Sequence, residues 1–175
     1  KNVLIRADLN VPMSGETITN NFRIKSSLPT IKTCIEAGAS VILMSHLGRP
    51  KGREEQSLSL IPVGEELAGL LEMPIKFSAD CISTDAIDTS ISLKPGEIHL
   101  LENLRFYSEE EDNDTEFSSQ LARHGNIYIN DAFGTAHRSH ASNVGVVPFF
   151  KNAGIGWLMD KELNYLDRLM NNPKR

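Results

Sequence analysis

A chain of 175 residues, 40% hydrophobic and 23% charged, has the composition of one globular domain of ordinary size or half of a two-domain protein. Its formal charge of -5 argues against a general nucleic-acid-binding surface, which needs a basic stripe to displace counterions. No run approaches the roughly 20 apolar residues of a membrane span. The start Lys1-Asn2-Val3-Leu4 lacks a signal-peptide layout, so a soluble cytoplasmic protein without a membrane partner is expected.

In chain order, Val3 to Ile5 reads as a strand, followed by a turn at Ser14-Gly15. From Phe22 to Ala37, Ile24, Leu28, Ile31 and Ile35 recur at helical spacing, with Asn20 or Asn21 as N-cap, Gly38 as stop and Pro29 as an irregularity. Val41 to Met44 is a run suited to a strand buried on both faces, and the charged loop through Ser57 reads as mobile. Ile61 to Leu71 forms the next helix, with Pro62 tolerated in its first turn. Ile75 to Phe77 is a short strand, Ser83 to Ser92 a weakly patterned short helix, and Ile98 to Leu101 a strand. The acidic run Glu109 to Asp112 is expected to be a solvated loop, followed by a helix from Glu116 to His124 and a last strand from Ile127 to Ile129. A terminal helix is expected from about Leu158 to Met170. This alternation predicts an α/β fold of three layers: a mainly parallel sheet with right-handed crossovers and helices on both faces.

Four of the strand-like runs are followed within a few residues by polar tails. They are Arg6-Ala7-Asp8-Leu9-Asn10, Ser45-His46-Leu47-Gly48-Arg49-Pro50, Glu102-Asn103-Leu104-Arg105 and Asn130 to Arg138. In a parallel sheet all such tails share one end, where open α/β folds bind their ligands. Arg49, Arg105 and Arg138 each offer a planar fork of donors to a phosphate or carboxylate. The competing reading of the second tail is a solvated loop arginine beside a structural histidine. Asp8 and Asn10 can bond a substrate hydroxyl or simply build an Asx turn before Pro12. His137 and His140 lack a third ligand for a metal and are read as orienting or structural groups. No P-loop, dinucleotide fingerprint or serine elbow is present. Cys34 and Cys81 form no redox or zinc pattern and are expected to be small buried residues. Asn113-Asp114-Thr115 is a glycosylation sequon that an unexported protein would not use.

With Ile18-Thr19-Asn20-Asn21-Phe22-Arg23-Ile24 added to these tails, the chain closely resembles the N-terminal half of phosphoglycerate kinase, in motif order and over nearly its whole length. The resemblance implies reversible phosphoryl transfer from 1,3-bisphosphoglycerate to ADP, giving 3-phosphoglycerate and ATP in glycolysis. It implies that His46, Arg49, Arg105 and Arg138 hold the non-transferred phosphate, with Gly48 also among the substrate-binding residues. Asp8 and Asn10 would orient the glycerate, and Arg23 would be the catalytic residue facing the phosphoryl group in flight. Mg-ATP or Mg-ADP would be bound by a separate C-terminal domain, with no cofactor or metal on residues 1–175. That second domain would begin shortly after Asn171-Asn172-Pro173, yet the chain ends at Arg175. Residues 1–175 are therefore expected to be a single phosphoglycerate-binding domain excised from a monomeric enzyme, able to bind phosphoglycerate but not to turn over. The alternative is a stand-alone anion-binding or regulatory domain of the same fold.

Overall fold

The computed structural model describes residues 1–171, and in it a six-stranded sheet carries the architecture. Its strands are β1 (Asn2–Ala7), β4 (Ser40–Met44), β5 (Ile75–Ser78), β6 (Ile98–Leu101), β7 (Ile127–Asp131) and β8 (Ala153–Ile155). Every neighbouring pair is parallel, in the order β5-β6-β4-β1-β7-β8. A small antiparallel hairpin, β2 (Met13–Ser14) and β3 (Thr17–Ile18), stands apart, turning at Gly15 with φ of 59°.

The helices are α1 (Phe22–Glu36), α2 (Ile61–Leu71), α3 (Thr84–Ile91), α4 (Ser108–Glu111), α5 (Thr115–Ala122) and α6 (Trp157–Asn171). Successive strand side chains point to opposite faces, and this alternation divides the core in two. Val3, Ile5, Val41 and Leu43 pack with Ile24 and Ile31 of α1 and Val63 and Leu67 of α2. Leu4, Ile42 and Met44 pack with Ala86 of α3 and Phe117 and Leu121 of α5. The three-layer parallel fold expected from the sequence is therefore observed.

Local chemistry explains the element ends. Asn20 Oδ1 accepts from the Phe22 N–H at 2.8 Å, so Asn20, rather than Asn21, serves the start of α1. Asn21 instead donates to Glu66 Oε1 of α2 at 2.6 Å. Beyond α1, Gly38 takes φ of 77° and its N–H closes on the Ile35 carbonyl at 2.8 Å. α6 is capped from a distance: Asp131, at the end of β7, accepts from the Leu158 and Met159 N–H groups at 3.0 and 3.2 Å.

Two expectations need correction. Glu109 to Asp112 is not a solvated loop: α4 forms there and buries Glu110, because Ser142 supplies that carboxylate with two hydrogen bonds, at 2.9 Å from its N–H and 2.5 Å from its hydroxyl. Ile127 to Ile129 is also not the last strand, since β8 adds to the free edge of β7; its Ala-Gly-Ile sequence is too short to show periodicity. Cys34 and Cys81 are free and buried, as expected. The expected domain end at Asn171-Asn172-Pro173 lies largely outside the described residues.

Candidate functional site

The polar tails of β1, β4, β6 and β7 emerge together at the C-terminal edge of the sheet, because those strands are mutually parallel and adjacent in space. Their hydrogen bonds hold the loops in register. Ser45 Oγ donates to the Ala7 carbonyl at 2.8 Å and accepts from the Leu9 N–H at 3.0 Å, tying the β4 tail to that of β1. Gly48 joins three tails: its N–H donates to Asn10 Oδ1 at 2.9 Å, and its carbonyl accepts from Arg105 Nη1 at 2.9 Å. Asn103 adds an amide donor to the Leu47 carbonyl at 2.7 Å. Gly48 reaches this position with φ of 62°, and a Cβ there would lie 2.6 Å from Leu58 Cδ2.

Around this junction the cationic groups converge. His46 is buried, and Arg6 Nη2 lies 2.9 Å from its Nδ1. Burial holds the His46 imidazolium well below the ordinary histidine range, reinforced by the positive charges of Arg6, Arg105 and Arg138 and by His140. Burial likewise lowers Arg105, with Arg138 and Arg6 adding to the effect and Glu111, 3.7 Å from Arg105 Nε, opposing it. His140 is lowered by burial and then chiefly by Arg105. Arg6, Arg105 and Arg138 thus lie near enough to His46 and to His140 for their charges to disfavour protonation of both imidazoles. Arg138 is half-buried and Arg49 exposed, and neither side chain makes a hydrogen bond or ion pair among the described residues.

A second feature lies where α1 begins. Arg23 Nη1 donates to Asp8 Oδ2 at 2.6 Å, with the arginine half-exposed and the aspartate largely covered. Asp8 Oδ1 is buried without a hydrogen-bond partner. Gly134, on the β7 tail, comes so close that a Cβ would stand 3.0 Å from Asp8 Oδ2 and 3.7 Å from Arg23 Nη1. Asp8, Arg23, Ser26, Phe133, Gly134 and Glu162 line a cleft of about 300 Å³ here.

Of the sequence-derived candidates, Arg105 and Arg138 thus lie close to the neutral His46, Asp8 and Arg23 form an ion pair, and Asn10 and Gly48 are joined by a hydrogen bond. Arg49 stands free on the loop between them. His137 is exposed, whereas His140 is buried with its Nδ1 4.0 Å from Glu110 Oε1. The buried pair Arg6 and Glu110 was not anticipated. Arg6 Nε donates to Ser142 Oγ at 2.8 Å, and that hydroxyl donates to Glu110 Oε1. Strand alternation held the signal for Arg6: it is two residues from Leu4, hence on an interior face, where a charge must have partners.

The chain matches known proteins in both sequence and fold. The family model described as phosphoglycerate kinase matches residues 1–175. Among curated relatives, the phosphoglycerate kinase of Rippkaea orientalis is 51% identical, over 100% of this chain and 44% of its own length. That of Borreliella afzelii is 45% identical, with the same coverage. Among solved structures, phosphoglycerate kinase from Pyrococcus horikoshii superposes with a TM-score of 0.91 at 35% identity, covering 100% of this chain and 44% of the other. The Coxiella burnetii phosphoglycerate kinase gives a TM-score of 0.89 at 40% identity, covering 99% and 43%. The chain therefore spans less than half the length of the relatives it matches.

Proposed function

The chain belongs to the phosphoglycerate kinase family, and we propose that it forms the phosphoglycerate-holding half of the active site for phosphoryl transfer between 1,3-bisphosphoglycerate and ADP. The observation that supports this reading most is the convergence of His46, Arg105 and Arg138 beside the Asp8–Arg23 pair at one sheet edge. A phosphate ester is met by such a set of donors: arginine forks for its charge, and a histidine N–H for a remaining oxygen.

In the proposed complex His46, Arg49, Arg105 and Arg138 hold the non-transferred phosphate, with Gly48 and Asn10 fixing the loop that carries them. Asp8 Oδ1, buried and without a partner, accepts from a glycerate hydroxyl, which satisfies an otherwise costly unpaired oxygen. Arg23 pivots from Asp8 toward the reacting end and neutralises charge growing on the equatorial phosphoryl oxygens. Phosphoryl transfer needs alignment and charge stabilisation of this type and no proton transfer from Arg23.

The Mg-nucleotide is assigned to the part of the relatives that this chain does not span. The converging side chains described here are predominantly cationic, a set suited to an anionic substrate rather than to Mg²⁺, which takes oxygen ligands. Two substrates must be held in line for transfer, so residues 1–175 alone bind phosphoglycerate without turnover. The whole enzyme acts in glycolysis as a cytoplasmic monomer on this reading.

Calorimetry with 3-phosphoglycerate tests the assignment. Arg138→Ala and Arg49→Ala each remove a charge-assisted contact of about 1.5–3 kcal/mol, so each is expected to weaken binding at least ~10-fold. Affinities equal to wild type for both variants would count against the site. A coupled assay on residues 1–175 should show no ATP formation, and sustained turnover would refute the division of labour.

A further inference from the structure

We infer that Arg6 is a positioning residue that fixes His46 as a neutral imidazole carrying its single proton on Nε2, so that His46 meets the ligand as an uncharged donor. This rests on the proposed role of His46 in anion binding for its consequence, but not for its structural content. A guanidinium has only donors, and it stays protonated in proteins. Arg6 Nη2, 2.9 Å from His46 Nδ1, must therefore donate, and Nδ1 must be the bare acceptor. The remaining proton of the neutral ring is then on Nε2, which has no hydrogen-bond partner among the described residues.

Arg6 is locked in this pose by all three of its nitrogens. Nε donates to Ser142 Oγ at 2.8 Å, and Nη1 to the Ala7 carbonyl at 2.6 Å, with a longer approach to Ser45 Oγ at 3.4 Å. Ser142 in turn is held by Glu110 and by Tyr128, whose hydroxyl donates to the Ser142 carbonyl at 2.8 Å. Arg6 has no exposed surface and cannot itself reach a ligand. Its role is exerted through His46.

The same contact resists protonation of His46. A second proton on Nδ1 would face the Arg6 N–H head-on, in a neighbourhood that also contains Arg105, Arg138 and His140. Glu110, the carboxylate facing Arg6, is engaged by Ser142. Glu111 is directed at Arg105, 3.7 Å from its Nε, and Asp8 at Arg23. The charge of a bound anion is consequently met by arginine alone, while His46 contributes direction. Binding should follow the ionisation of the ligand and not that of His46.

Two-bond ¹H–¹⁵N correlation spectra of the histidine rings in the unliganded chain test this without reference to any substrate. Wild type is expected to show His46 as the Nε2–H tautomer, unchanged from pH 8 to pH 5.5. Arg6→Met should mix the two tautomers and raise the His46 pKa by at least one unit. Titration with inorganic sulfate, which does not change charge in this range, supplies a second readout. Wild-type affinity should vary less than twofold between pH 7.5 and 6, because arginine, which does not titrate in this range, meets the sulfate charge. Should Arg6→Met fail to fold with Glu110 unpaired, the double variant Arg6→Met with Glu110→Gln removes both charges and carries the same expectations. A wild-type His46 protonated on Nδ1, or titrating above pH 5.5, overturns the inference. A correct tautomer with no affinity for 3-phosphoglycerate would instead leave Arg6 in its role and refute the proposed function.

Discussion

Gly48 meets the tails of β1 and β6 through one N–H and one carbonyl, and it does so in a left-handed conformation with the Leu58 side chain against its Cα. For any other residue that backbone costs about 1–2 kcal/mol, and the end of Leu58 must also shift. Gly48→Ala is expected to lower the urea midpoint by the equivalent of about 1–2 kcal/mol with an unchanged slope. It should weaken phosphoglycerate binding as well, because Arg105 is oriented by the Gly48 carbonyl. An unaltered midpoint would show that the loop has freedom not evident in its hydrogen bonds. Arg49, Arg105 and Arg138 were legible in the sequence because each lies on a polar tail that follows an apolar run. Arg6 and Glu110 were not: one lies within a strand and the other in an acidic run whose usual fate is solvent. Only the fold brings Ser142 between them.

Buried polar contacts also join elements on the sheet face opposite α1 and α2. The Cys81 carbonyl can only accept, so His124 Nε2 donates to it at 2.8 Å and His124 Nδ1 accepts from Ser90 Oγ at 2.6 Å. Ser90 Oγ, its proton committed, accepts from His99 Nδ1 at 2.8 Å, and His99 Nε2 accepts from Ser78 Oγ at 2.8 Å. One directed chain thus links β5, β6, α3 and the segment after α5. Burial pulls both histidines down to about 4. Their folded pKa values lie below the unfolded value of about 6.5, so the unfolded chain takes up protons first as pH falls. Stability is full above about pH 6.5 and declines toward pH 4, below which these two groups add no further loss. Their joint contribution to the slope is at most about 2.7 kcal/mol per pH unit. Urea unfolding of wild type and His99→Gln between pH 7 and pH 5 should show the variant losing about one proton of this slope. Identical slopes would mean that His99 charges freely in the folded state. The elements themselves were largely legible: α2 spans the predicted Ile61–Leu71, since its apolar stripe and Pro62 mark both period and start. α4 and β8 were not, being too short for periodicity and dependent on Ser142 and on the β7 edge for their existence.

At the level of the fold, the parallel sheet converts four separated tails into one surface, and the net charge of -5 is compatible with a local pocket of the opposite sign. That conversion explains why a shared anion-binding end was legible in the strand pattern, while the phosphoglycerate reading came from the family resemblance alone. Alternating apolar runs imply parallel strands, and parallel strands imply a shared end. The partition into a cationic cluster and an Asp8–Arg23 cleft was less accessible, because it depends on side chains from α1 and on the approach of Gly134 to Asp8. A crystal structure of the chain with 3-phosphoglycerate is the most direct test of the proposed site. The phosphate should lie within hydrogen-bond distance of Arg105, Arg138 and His46 Nε2, with a glycerate hydroxyl on Asp8 Oδ1. A phosphate bound away from these side chains, or seated against the Asp8–Arg23 cleft in their place, would contradict it.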